Sequence, residues 1–125
     1  LQRPYHIYDY LDGCKNAIIE HPTPFEYYPG ITPNWDNTPR SGMNGSVVVN
    51  SSPAHFRSLV RKAITRIEDY DNQHKLIFIK SWNEWAEGNY LEPDARFGRG
   101  YLEALKEALD DDDVEKNVAR KTLKE

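Results

Sequence analysis

Leu76-Ile77-Phe78-Ile79 leads through Lys80-Ser81 into Trp82-Asn83-Glu84-Trp85-Ala86-Glu87-Gly88, and this stretch decides the fold class and where chemistry should be sought. Four large apolar residues, two of them β-branched and all bounded by polar ones, predict a strand over residues 75–82 covered on both faces, as in a parallel sheet wrapped by helices. Such sheets bind ligands beyond the C-terminal ends of their strands. Glu84 and Glu87 therefore fall on the functional rim, as candidates for the two differently tuned carboxyl groups that work at a glycosidic bond requires. Trp82 and Trp85 offer flat apolar faces for sugar rings, or else pack as core or lid. Asn83 adds a neutral amide that can hold a sugar hydroxyl or orient a carboxylate.

Outward from this stretch the pattern alternates. Ser52-Pro53 starts a helix, because the serine hydroxyl satisfies a free amide and proline is preset for the first turn. Phe56, Leu59, Val60, Ala63, Ile64 and Ile67 trace one face of it to about residue 70. Residues 30–35 read as an earlier strand, 36–45 as a loop with Pro39, Gly42 and Gly45, and 46–50 as a short extended piece. Ile7, Leu11, Cys14 and Ile18 predict an outer helix over residues 6–19. Residues 83–98 read as a long loop, and Tyr101, Leu102, Leu105, Ala108 and Leu109 mark a last helix from about Arg99. Asp110 to Asp113 would then terminate that helix, whose C-terminal dipole disfavours negative charge, with 110–125 as a polar tail.

Strand, loop, helix, strand, loop, helix is an α/β order. A complete (β/α)8 barrel takes about 250 residues, so a chain of 125 residues with so few strand candidates is expected to be one partial domain, residues 1–125, comprising about two strand-helix units and a preceding helix. The charged fraction of 29% against 38% hydrophobic fits faces that await a partner segment. With a net charge of −4 and basic residues interspersed among acidic ones, nucleic acid is not an expected partner. No stretch approaches the roughly 20 apolar residues of a membrane span. The single cysteine, Cys14, excludes an internal disulfide, reads as a small apolar residue on a helix face, and fits a reducing, cytoplasmic location.

Trp35-Asp36-Asn37-Thr38-Pro39-Arg40 follows the earlier strand candidate and forms the second constellation. Trp35, Asp36, Asn37 and Arg40 suit sugar hydroxyls or a substrate phosphate. Alternatively, the short polar side chains close a turn on their own backbone while Arg40 pairs Asp36 or a rim glutamate. Tyr90 and Glu92 complete the candidate pocket, Glu92 equally readable as an exposed loop acid. His55 reads as a capping or surface residue. His6, His21 and His74 lack metal-ligand spacing and consecutive aspartates do not converge on an ion without a turn, so neither metal nor cofactor is expected.

The string Ile79 to Asp94, with Gly100-Tyr101-Leu102-Glu103-Ala104, Trp35 to Arg40 and Ser52-Pro53-Ala54-His55-Phe56 in the same order, resembles the WbsX-type glycosyltransferases, also called glycoside hydrolase family 99-like proteins, over about residues 5–110. The resemblance implies the C-terminal portion of a β/α barrel, its last two strand-helix units, that is inactive without the N-terminal part. It also implies a role in bacterial lipopolysaccharide or other surface-polysaccharide biosynthesis, with a nucleotide-sugar or lipid-linked glycan as substrate. In the related family 99 endo-mannosidases an Asn-Glu-Trp-x-Glu-Gly string carries both catalytic acids, and Asn83 to Gly88 fits it, with Ala86 in place of histidine. By that likeness Glu84 is the base engaging the sugar 2-hydroxyl to give an anhydro-sugar, Glu87 is the acid/base at the leaving oxygen, and stereochemistry is retained. The alternative from another class is a carbohydrate-binding or assembly domain whose carboxylates only hydrogen-bond sugar.

Overall fold

A computed structural model describes the backbone of residues 6–122 and side chains as far as Asp111. Two helices carry the core. The first long helix, α3 (Pro53–Arg66), begins where expected: the Ser52 hydroxyl accepts from the His55 amide at 3.2 Å and Pro53 occupies the first turn. Its face of Phe56, Leu59, Val60, Ala63 and Ile64 is buried, and each large side chain contributes about 1.5–3 kcal/mol by leaving water. Opposite lies α4 (Gly100–Thr122), which buries Tyr101, Ala104 and Ala108. The two alanines let the helices approach, and Phe56 meets the Tyr101 ring edge-on at 5.8 Å.

Around this pair sit short strands. The strand β1 (His6–Asp9) runs parallel to β3 (Ser46–Val49), and β2 (Gly30–Ile31) runs parallel to β4 (Phe78–Ile79). The β2–β4 pair is linked by a connection that contains α3, the crossover that parallel strands require. The predicted strand of residues 75–82 thus contracts to a two-residue ladder, extended on each side by the bonds Phe78 N to Pro29 O and Lys80 N to Ile31 O. It is also covered on one face only. Ile77 and Ile79 pack on the core, whereas Leu76 and Phe78 are 48% and 61% exposed, because α3 and α4 lie on a single side among the described residues.

Two other expectations are corrected. The helix placed over residues 6–19 is only α1 (Tyr10–Asn16), and Ile7 and Tyr8 belong to β1. Asp9 decides this boundary: its Oδ1 accepts from the amides of Leu11 (2.9 Å) and Asp12 (3.3 Å), so the helix starts after it. The 4-3-4 apolar spacing was coincidental, since Ile7 and Leu11 are exposed. The acidic run, in turn, does not terminate the last helix. Asp110 pairs with Lys106 one turn earlier, and Asp111 pairs with Arg57 and Arg61 of α3, so the run lies mid-helix, away from the unfavourable end of the dipole. The final residues 123–125 of the expected tail lie outside the described residues. Among the described residues no helix is long and apolar enough to cross a membrane.

Candidate active site

Beyond Ile79 the chain does not wander as a loop but folds back. The strands β5 (Asn83–Glu84) and β6 (Asn89–Tyr90) pair antiparallel, with a single 3-10 turn, Trp85–Glu87, between them. Gly88 closes the turn at φ 53°, ψ 36°, the left-handed region that glycine enters without penalty. The hairpin is stitched to the segment following β2: the fully buried Asn89 donates from Nδ2 to Asn34 O at 2.7 Å, Asn34 Oδ1 accepts from Tyr90 N at 2.9 Å, and Asp36 N donates to Glu87 O at 2.8 Å. Ser81 Oγ donates to Asn89 O and accepts from the Glu84 amide. The C-terminal ends of two parallel strands therefore share one rim.

On that rim Glu84 and Glu87 come together on a single guanidinium. Arg40 donates from Nη2 to Glu84 Oε1 at 3.2 Å and from Nη1 to Glu87 Oε1 at 2.9 Å. Lys80 Nζ lies 2.9 Å from Glu87 Oε2, off hydrogen-bond alignment, and 5.0 Å above the centre of the half-buried Trp35 ring. The Glu87 side chain is only 16% exposed, against 40% for Glu84 and 53% for Arg40. Among the described residues no group of three or more His, Cys, Asp and Glu is placed to hold a metal ion.

The short helix α2 (Thr38–Ser41) delivers Arg40, and its neighbours shape the turn. Asp36 Oδ1 accepts from both the amide (2.9 Å) and hydroxyl (2.6 Å) of Thr38, and Asn37 Oδ1 accepts from Ser46 N at 2.6 Å. These side chains close the turn, and Arg40 pairs with the rim glutamates rather than with Asp36. Trp85, Tyr90 and Glu92 form a separate unit: the two rings stack at 3.8 Å and Trp85 Nε1 donates to Glu92 Oε2 at 2.7 Å. One indole face is thus occupied by protein. Trp82 is 52% exposed, and Asn83 is exposed beside it. His55 stacks 6.5 Å from Tyr10, with Nδ1 2.8 Å from Asn50 O. Burial pushes the half-buried Cys14 thiol above its ordinary pKa.

Lys80, Asn34 and Asn89 were not singled out from the sequence. Each acts through a partner remote in the chain, and only the position of Lys80 directly after the strand hinted at a rim residue.

Residues 2–105, spanning every element from β1 into the first turns of α4, match the glycosyltransferase WbsX family. The chain belongs to that family. Two relatives from Xanthomonas campestris pv. campestris, each named "Uncharacterized protein WxcX", are similar to this WbsX-family chain. The strain B100 protein is 43% identical over 104 residues, covering 82% of this chain and 15% of its own length. The strain ATCC 33913 protein is 43% identical over 86 residues, covering 68% and 12%. The chain thus spans 15% or less of the curated relatives it matches. No solved structure matches it. The Glu84–Arg40–Glu87 cluster lies inside the region shared with the WbsX family.

Proposed function

We propose that this chain supplies the catalytic rim of an enzyme that makes or breaks glycosidic bonds in bacterial surface-polysaccharide metabolism, with retention of configuration. The observation that carries the reading is the pair itself: two glutamates beyond the end of a parallel strand, held on one arginine. Glu84, the more exposed, takes the proton of the sugar 2-hydroxyl as that oxygen bonds to the anomeric carbon. Glu87 gives its proton to the departing glycosidic oxygen. In the second half Glu87 removes a proton from the acceptor or water that opens the anhydro ring, and Glu84 returns its proton to the 2-oxygen, so both carboxyl groups end as they began. Arg40 holds both carboxyl groups in place before a sugar arrives. Two inversions at one carbon give retention.

The same reading makes the fold the C-terminal portion of a (β/α)8 barrel. The bare apolar face of β4, and Ile7 and Tyr8 on β1 at 61% and 56% exposure, support further strands of the longer protein covering them. A binding or assembly domain is the second reading, favoured by the cations that already engage both carboxylates; it gives sugar binding without turnover.

The test is the stereochemistry of turnover by the full-length protein, followed by NMR of the anomeric proton as product forms. The first-formed product keeps the donor's configuration. An inverted product rules out the anhydro-sugar route, and binding with no turnover of nucleotide-sugar or glycan supports the second reading.

A further inference from the structure

Beside the glutamate pair lies a cleft of about 500 Å3, sharing Asp36 and Gly88 with the rim but lined by neither catalytic candidate. Its lining holds one cation, Arg96, and one carboxylate, Asp36, whose Oδ1 is already engaged by Thr38. Among the described residues no carboxylate lies within ion-pair distance of the Arg96 guanidinium, whereas Arg40 and Arg57 each meet acidic partners. The Arg96 group sits instead 4.7 Å over the Phe97 ring, and its backbone is pinned by Asp94 Oδ1, which accepts from the Arg96 amide at 2.7 Å and the Phe97 amide at 2.5 Å. Trp35 and Tyr90 supply aromatic surface to the same cleft. A planar cation without an acidic partner, on a cleft that Trp35 and Tyr90 also line, is what recognition of a charged sugar calls for.

We infer that this cleft is a second saccharide subsite, in which Arg96 binds an oxyanion, a carboxylate or a phosphate, carried on the sugar next to the one processed at Glu84 and Glu87. The inference rests on the proposed reaction for its register along the glycan, but the binding it describes is measured separately.

The test titrates the full-length protein, its Arg96→Gln variant and its Arg96→Lys variant with methyl glucuronide, glucose 1-phosphate, inorganic phosphate and neutral methyl glucoside, by calorimetry. Arg96 is exposed, so both variants should melt as the parent does. The expected result is tighter binding of at least one anionic sugar than of methyl glucoside, lost by about tenfold or more in Arg96→Gln, partly kept in Arg96→Lys, and weakened by added salt. Whichever of the glucuronide and the sugar phosphate depends on Arg96 identifies the anion. Equal binding of charged and neutral sugars, no binding of either anionic sugar, indifference to Arg96→Gln, or inorganic phosphate binding as well as the sugar phosphate would each overturn it. Failure of the proposed reaction shows instead as turnover surviving loss of the glutamates, which leaves this binding result untouched.

Discussion

Glu84→Gln and Glu87→Gln, made separately in the full-length protein, each lower kcat by at least about 10²-fold while the protein still folds. Glutamine keeps the shape and an oxygen that Arg40 can still reach, but it neither takes nor gives a proton at neutral pH. The stability cost is small at Glu84, whose contact with Arg40 is exposed on both sides and so worth about 0–1 kcal/mol. It is larger at Glu87, which is mostly covered and is a partner of both Arg40 and Lys80, since an amide there meets both less well than a carboxyl group does. Because the two act in one reaction, the double variant falls well short of the product of the single losses. Steady-state kinetics beside thermal melts checks this; full activity in both single variants removes the glutamates from the chemistry.

The second large effect is on the fold of the rim. Gly88→Ala is expected to destabilise the protein by about 2–4 kcal/mol and to lose activity with it. Two independent causes act at this one position. A side chain in the left-handed region costs about 1–2 kcal/mol, and the added Cβ would stand 2.8 Å from both the amide nitrogen and the carbonyl oxygen of Asp36. Those atoms are backbone, held by the Asp36 N to Glu87 O bond, so relief means parting the hairpin from the segment that carries Arg40. Gly13→Ala is the control: nothing lies within 4 Å of its Cβ and it sits inside α1, so that change is neutral or stabilising. Thermal melts of the two variants decide it, and equal melting points contradict this account of the rim.

What the sequence disclosed follows from the range of the forces involved. The start of α3 was legible because Ser52 and Pro53 act on amides within one turn, and the buried face of α3 because its period is local. The rim position of Glu84 and Glu87 followed from the apolar run preceding them. Residues 6–19 misled because Ile7 is claimed by Val47, forty residues away, through β-pairing, while the helical spacing of its neighbours was accidental. The extent of α4 was hidden for a similar reason, as Arg57 and Arg61 reach Asp111 from another helix. At the site, the sequence left Asp36 and Asn37 open between sugar contacts and turn closure, and their bonds to Thr38 and Ser46 follow the second pattern. Arg40 on a rim glutamate was one alternative beside Asp36 and a substrate anion, and its hold on both glutamates was not foreseen, since a contact across 44 residues leaves no local trace. Whether Trp82 and Trp85 stack on sugar is a matter of the ligand, which neither periodicity nor packing expresses.

A structure of the full-length protein with a saccharide bound tests most directly whether the two carboxylates share one sugar. The account requires the 2-hydroxyl within hydrogen-bond reach of Glu84, the glycosidic oxygen within reach of Glu87, and Arg40 withdrawn from at least one of them. A sugar bound in the protein while Arg40 still spans both carboxylates, with no sugar oxygen touching either, would contradict it.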